Sequence, residues 1–276
     1  ADVAACLVPY TAALVTNFDE GTVSVLPIST DAITATVSVG HGAWGVAIHP
    51  DGRQAWATAR EVDQVSVIDT ATGMVTAQIP IGRLPLGISF SPDGATAYVA
   101  TYRGRDLAVV DTASRTVIDR IRVGRGATGV ALGPGGARIY VSNYAEDTIS
   151  VVDPASRKVV RTLRVGHRPL ELAVDPLHGR LYVSNFGGRS VSVIGTVSNQ
   201  VLKTVRVGKK PFGIAVDPTR ARAYVTNARS DSVSVIDTDA CVVTDTVPVG
   251  QGPLGIGLDP RGTRAYVANA NDGTIG

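Results

Sequence analysis

The chain has 276 residues, of which 44% are apolar and 5% aromatic, and carries a net charge of +2. That apolar content excludes a disordered chain, and the lack of any long apolar run excludes a membrane-spanning helix. The mild charge gives no reason to expect a nucleic-acid partner unless the basic residues form a local stripe. Cys6 and Cys241 are the only cysteines, too few for a disulfide scaffold and in no metal-ligand spacing. The first residue is Ala1 rather than Met, which fits a matured exported protein or a trimmed chain; a Lys-poor surface rich in Val, Thr and Ser is compatible with export, and an extracytoplasmic location is the expectation.

A repeat of 42 residues runs from near the first residue to the last. Within each copy four short segments follow in order. In the clearest copy they are Gly213-Ile214-Ala215-Val216-Asp217-Pro218, Tyr224-Val225-Thr226-Asn227, Val233-Ser234-Val235-Ile236-Asp237-Thr238 and Thr246-Val247-Pro248-Val249-Gly250. The first is seen six times from Gly45 to Gly255, with a degenerate candidate at Val3 to Val8. The second is centred on Leu14, Trp56, Tyr98, Tyr140, Tyr182, Tyr224 and Tyr266, and the closing glycine recurs at 40, 82, 124, 166, 208 and 250. The segments are short, rich in β-branched residues and often alternate with Ser, Thr or Ala, which is strand patterning; no 3.6-residue period is sustained. Turns such as Pro50-Asp51-Gly52 and Asp69-Thr70-Ala71-Thr72-Gly73 join them.

Each copy is too small to bury its own core, so the copies must stack. Four antiparallel strands per period make one blade, and the expected fold is all-β: residues 1–276 form a single β-propeller of seven four-stranded blades. Seven full repeats need 18 residues more than the chain has, so the last blade is expected to lack its outer strands. Its exposed edge would be finished by further chain or by a strand-pairing partner. A six-bladed ring closed by terminal strands is the alternative.

The Tyr-Val-Thr-Asn run at 224–227, the Ser-Val-Ile-Asp-Thr run after it and the Pro-x-Gly-Ile-Ala-Val-Asp-Pro opening at 211–218 resemble the YVTN-type β-propeller repeat over nearly the whole chain. The resemblance implies a propeller, often bacterial or archaeal and extracytoplasmic, usually of seven blades. It implies no single activity.

Alternate connections of a blade emerge on opposite faces. The first-to-second and third-to-fourth turns repeat their chemistry, whereas the other face varies from blade to blade, and variation on a regular scaffold is where a binding site can be written. The loops leading into the inner strands begin with His41, Arg83, Arg125, His167, Lys209 and Gln251, followed by residues that include Trp44, Arg168, Lys210 and Phe212. They are expected to crown the central pore as a positive collar that favours an anionic ligand; the competing expectation is a solvated basic rim. The second loop set on that face carries Phe18, Arg60, Tyr102, Tyr144 and Phe186 at equivalent positions, with Arg103 and Arg105 beside Tyr102. Aromatic rings next to arginines can hold a planar or sugar-like ligand, or can simply cover the seams between blades. Ala228 and Ala270 break the aromatic series, so the candidate site leans toward blades one to five.

Glu171 stands where Gly45, Gly87, Gly129, Gly213 and Gly255 stand in other repeats. With His167 on the same loop and His41 in the matching place three blades away, it forms a candidate acid–base set; a salt bridge from Glu171 to Arg168 or Arg125 is the structural alternative. Three G-x-G-x-x-G matches, such as Gly40 to Gly45, open strands rather than helices and are not dinucleotide fingerprints. No metal site and no cofactor are expected. The function expected is therefore a ligand- or partner-binding propeller that uses the variable face for a small anionic or polar molecule, a glycan or a protein. A lyase, lactonase or other hydrolase or isomerase at the pore mouth is the alternative, and DNA binding through the collar is the third.

Overall fold

A computed structural model describes residues 3–5, 12–30 and 32–276. Seven antiparallel sheets follow one another along the chain, each with its strands paired in sequence order. The sixth is typical: an inner strand Pro211–Asp217, then Arg222–Asn227, Ser232–Asp237 and an outer strand Val242–Pro248. Six sheets have four strands and the seventh has three, Pro253–Leu258, Ala265–Asn269 and the two-residue Thr274–Ile275. The ring therefore has seven blades rather than six. Of the degenerate first strand expected at Val3 to Val8, Val3–Ala5 pairs with Ala12–Asn17; Cys6 to Val8 lie outside the described residues.

Each core lies between two consecutive blades, because one blade is hydrophobic on both faces and leaves only its outer strand wet. Trp56, Val67 and Ile79 of blade two pack on Ile88, Phe90 and Val99 of blade three. The ring closes the same way, with Ala13, Val15 and Leu26 of blade one against Tyr266 and Ala268 of blade seven. Cys241 is buried and, among the described residues, bonded to no other cysteine; its sulfur lies 3.4 Å from an Arg180 guanidinium nitrogen.

The repeated residues have specific jobs. Every inner strand that carries the x-Gly pair breaks register there, as between Pro211 and Ile214 or Ala43 and Val46, which is a β-bulge. The hydroxyl one residue before the repeat asparagine holds this bulge. Thr58 Oγ1 accepts the Gly45 N–H at 2.8 Å and donates to the Leu86 carbonyl of the next blade at 2.8 Å. Ser142 does the same for Gly129 and Leu170, and Thr226 for Gly213 and Leu254. The glycine is required by close approach: a Cβ on Gly45 would lie 2.5 Å from the Leu86 oxygen, and one on Gly129 2.4 Å from that of Leu170.

Candidate functional site

The bulge turns the residue before each glycine toward the mouth of the ring. Two backbone hydrogen bonds then zip each lead-in loop to the second-to-third loop of its own blade. Tyr102 N donates to Leu84 O at 2.9 Å and Arg103 N to Arg83 O at 3.3 Å, with counterparts at Arg60 and Gly42, Tyr144 and Gly126, and Phe186 and Arg168. This is why the aromatic series and the lead-in residues, some 18 positions apart in sequence, form one surface.

Six rings make a continuous arc over the mouth. Phe18 meets Trp44 at 6.1 Å between centroids, Trp44 meets Phe212 at 5.9 Å, Phe212 meets Phe186 at 6.1 Å, Phe186 meets Tyr144 at 6.3 Å, and Tyr144 meets Tyr102 at 6.3 Å. Trp44 belongs to blade two and Phe212 to blade six, so this pair crosses the axis. The arc bounds a bowl of about 340 Å3, floored by Leu84, Leu86, Thr128 and Leu170 and bearing Arg60 and Arg103 as its cations.

Arg60 occupies the slot that holds an aromatic in blades one, three, four and five. Its guanidinium carbon lies 4.9 Å from the Phe18 ring centroid and 5.4 Å from that of Trp44. Its Nε is buried and has no hydrogen-bond partner, and its side chain makes no ion pair among the described residues. A desolvated N–H without an acceptor costs about 1–3 kcal/mol, while cation–π contact with the two rings returns part of that. The guanidinium lines the bowl, so its charge is available to an anion there.

The other expected residues divide by position. Arg168 and Lys210 stand above the bowl, 5.6 Å from the Tyr144 centroid and 4.5 Å from that of Phe186. Both adopt left-handed backbone, φ 54° and 55°, in the slot that Gly42, Gly126 and Gly252 fill elsewhere. Arg83, Arg125 and Lys209 are exposed on the rim and do not line the bowl. Arg125 is paired with Glu146 at 2.8 Å, and Arg105 lies further out with φ 58°.

His41, His167 and Glu171 do not converge. His41 is exposed on the rim. His167 Nδ1 lies 3.1 Å from both carboxylate oxygens of Asp147. The Arg168 backbone N–H, and after it His167, hold the Asp147 carboxyl below the usual aspartate range despite its partial burial. Glu171 instead lines a cavity of about 110 Å3 on the axis, among Gly45, Gly87, Gly213 and Gly255, on the inner side of the aromatic arc. Among the described residues no group of three or more His, Cys, Asp or Glu is arranged to hold a metal ion. The floor residues Leu84, Leu86, Thr128 and Leu170 were not expected; the signal for the last three is the slot before the bulge position, large and apolar in five of six repeats: Trp44, Leu86, Leu170, Phe212 and Leu254.

Ring and mouth together define a seven-bladed β-propeller with a walled bowl on its variable face. Among solved structures the chain is similar to Kuenenia stuttgartiensis hydrazine synthase, with a TM-score of 0.62 and 19% identity over 85% of this chain and 94% of that one. At that identity the likeness shows the fold alone. No family model and no curated protein matches the chain. No helix among the described residues is long and apolar enough to cross a membrane.

Proposed function

We propose that the protein is a binding propeller whose mouth-face bowl holds a small anionic ligand with a flat ring. One observation carries the reading: the Arg60 guanidinium, packed against the Phe18 and Trp44 rings, lines the bowl with a buried Nε–H that meets no acceptor and no ion pair among the described residues. A carboxylate or phosphate would pair with this guanidinium, and the flat part of the ligand would lie against Tyr102, Tyr144 and Phe186. The bowl, about 340 Å3, is at the small end of ligand cavities, which suits one or two rings.

Binding without turnover is favoured over a lactonase- or lyase-type reaction. His167 is engaged by Asp147 on the rim, and Glu171 faces the axial cavity, so no acid–base pair shares the bowl. We further read the chain as a YVTN-type propeller that works outside the cytoplasm, which rests on the repeat phrase and the Val, Thr and Ser-rich surface.

The test is titration calorimetry with benzoate, phenyl phosphate and the neutral isostere benzamide. The two anions are expected to bind at least about tenfold more tightly than benzamide, the value of one charge-assisted hydrogen bond. Equal binding of all three would overturn the reading.

A further inference from the structure

Charge is segregated around the ring. Residues 1–82 contain two Lys or Arg and eight Asp or Glu, residues 83–208 contain seventeen and nine, and residues 209–276 contain seven of each. The mild net charge therefore conceals an acidic sector, blades one and two, and a basic one, blades three to five.

Much of the basic excess lies on three outer strands, Thr116–Arg122, Lys158–Arg164 and Gln200–Arg206. Arg122, Arg164 and Arg206 pair opposite Asp106, Thr148 and Ser190, the same register position in each blade, so they form one row around the flank. Arg161 and Lys203 start a second row, opposite Val151 and Val193. All five are exposed, and none makes an ion pair among the described residues. Blades one, two and six have Ser38, Pro80 and Pro248 in the slot of the arginine row, so the repeat does not require a cation there.

Apolar side chains accompany these rows. Ile118, Val160 and Leu202 recur at one repeat position on the same three strands and are 46%, 53% and 55% exposed. We propose that the flank of blades three to five is a docking surface for a flexible anionic polysaccharide, its charged groups on the guanidinium row and its sugar faces against the aliphatic row. The occupant follows from shape and chemistry. Three successive blades of seven sweep more than a quarter of the circumference, and a DNA duplex, with a persistence length of about 50 nm, cannot follow that curve without a bending cost. An anionic membrane is flat and would reach one or two blades. A flexible chain reaches all three, and its pyranose rings alternate apolar faces with anionic substituents. This surface is separate from the bowl and stands without it.

The experiment uses fluorescence anisotropy with a labelled heparin dodecasaccharide, titrated from about 50 mM salt upward. Two charge-matched double variants of the full chain are compared: Arg164→Ser with Arg206→Ser on the flank, and Arg53→Ser with Arg261→Ser in exposed turns of the opposite face. Serine already fills the arginine slot in blade one, so the flank variant should fold. The flank pair is expected to weaken binding at least tenfold and to reduce the slope of log Kd against log salt by about two, while the control pair changes neither much. Equal effects of the two pairs would reduce the surface to net charge and overturn the proposal. So would undetectable heparin binding at the lowest salt, or tighter binding of a short DNA duplex or of phosphatidylserine vesicles.

Discussion

Trp44 and Phe212, four repeats apart in sequence, touch across the axis with ring centroids 5.9 Å apart, and both line the bowl. The contact joins blades two and six, which share no strand pairing. Phe212 is 6% exposed, so its truncation removes buried area and leaves a hole. Phe212→Ala is expected to cost about 3 kcal/mol by urea unfolding. It should also shift tryptophan emission to the red, because Trp44 loses its cover while Trp56 stays fully buried.

The closing glycine and the repeat asparagine form a second coupled pair. A Cβ on Gly208 would lie 2.5 Å from Asn227 Cγ, and the Asn227 amide donates to Ser232 and Ser234 at 3.3 and 2.9 Å. Gly208→Ala should therefore destabilise by about 1–3 kcal/mol. Combined with Asn227→Ala, the loss should be smaller than the sum of the two single losses by at least about 0.5 kcal/mol. A double-mutant cycle read by denaturant unfolding checks this.

One loop position distinguishes strain from function. Arg189 and Asp147 are equivalent and both have positive φ, 51° and 57°. Asp147 uses its carboxylate to accept the Arg168 N–H at 2.8 Å, whereas Arg189 makes no such bond. Arg189→Gly should stabilise by about 0.5–1 kcal/mol, the left-handed strain relieved less the entropy of glycine. Asp147→Gly should instead destabilise by about 1 kcal/mol, because the N–H loses its acceptor. Thermal unfolding of the two variants gives opposite signs if the assignment is right.

The same carboxylate sets an acid dependence. The Arg168 N–H and His167 depress the folded pKa of Asp147. At Asp217 burial pushes the carboxyl up, but Thr219 and Arg220 outweigh it and the net direction is down. A depressed folded pKa contributes stability that is complete above the unfolded value of about 4 and is lost as pH falls through the lower folded value. Tm should be level from neutral pH to about 5 and fall below about 4. Asp147→Asn should lower the neutral plateau and flatten part of the acid fall.

The strands, the seven blades and the two faces were legible because each depends on contacts within one repeat or between neighbours, which a fixed period reports. The aromatic series at Phe18, Tyr102, Tyr144 and Phe186 was legible for the same reason. The bowl was not, since Trp44 and Phe212 meet across the ring and no period encodes a contact over the axis. The collar expected around the pore is a rim in the structure: the bulge sends Leu86 and Leu170 to the mouth and leaves Arg83 and Arg125 outside it. Glu171 and His167 sit four residues apart, but that bulge falls between them and turns one to the axis and the other to Asp147. Arg60 was visible as a basic residue, while its packing on Phe18 of blade one and Trp44 of its own blade depends on how neighbouring blades meet.

The central claim is that Arg60, and not the rim, anchors an anion. Titrating benzoate against tryptophan emission in the native chain, in Arg60→Met and in a rim variant with Arg83→Met and Arg125→Met tests it most directly. The account predicts saturable binding in the native chain, a loss of at least about tenfold in Arg60→Met, and near-native affinity in the rim variant. Native affinity in Arg60→Met, or an equal loss in the rim variant, would contradict it.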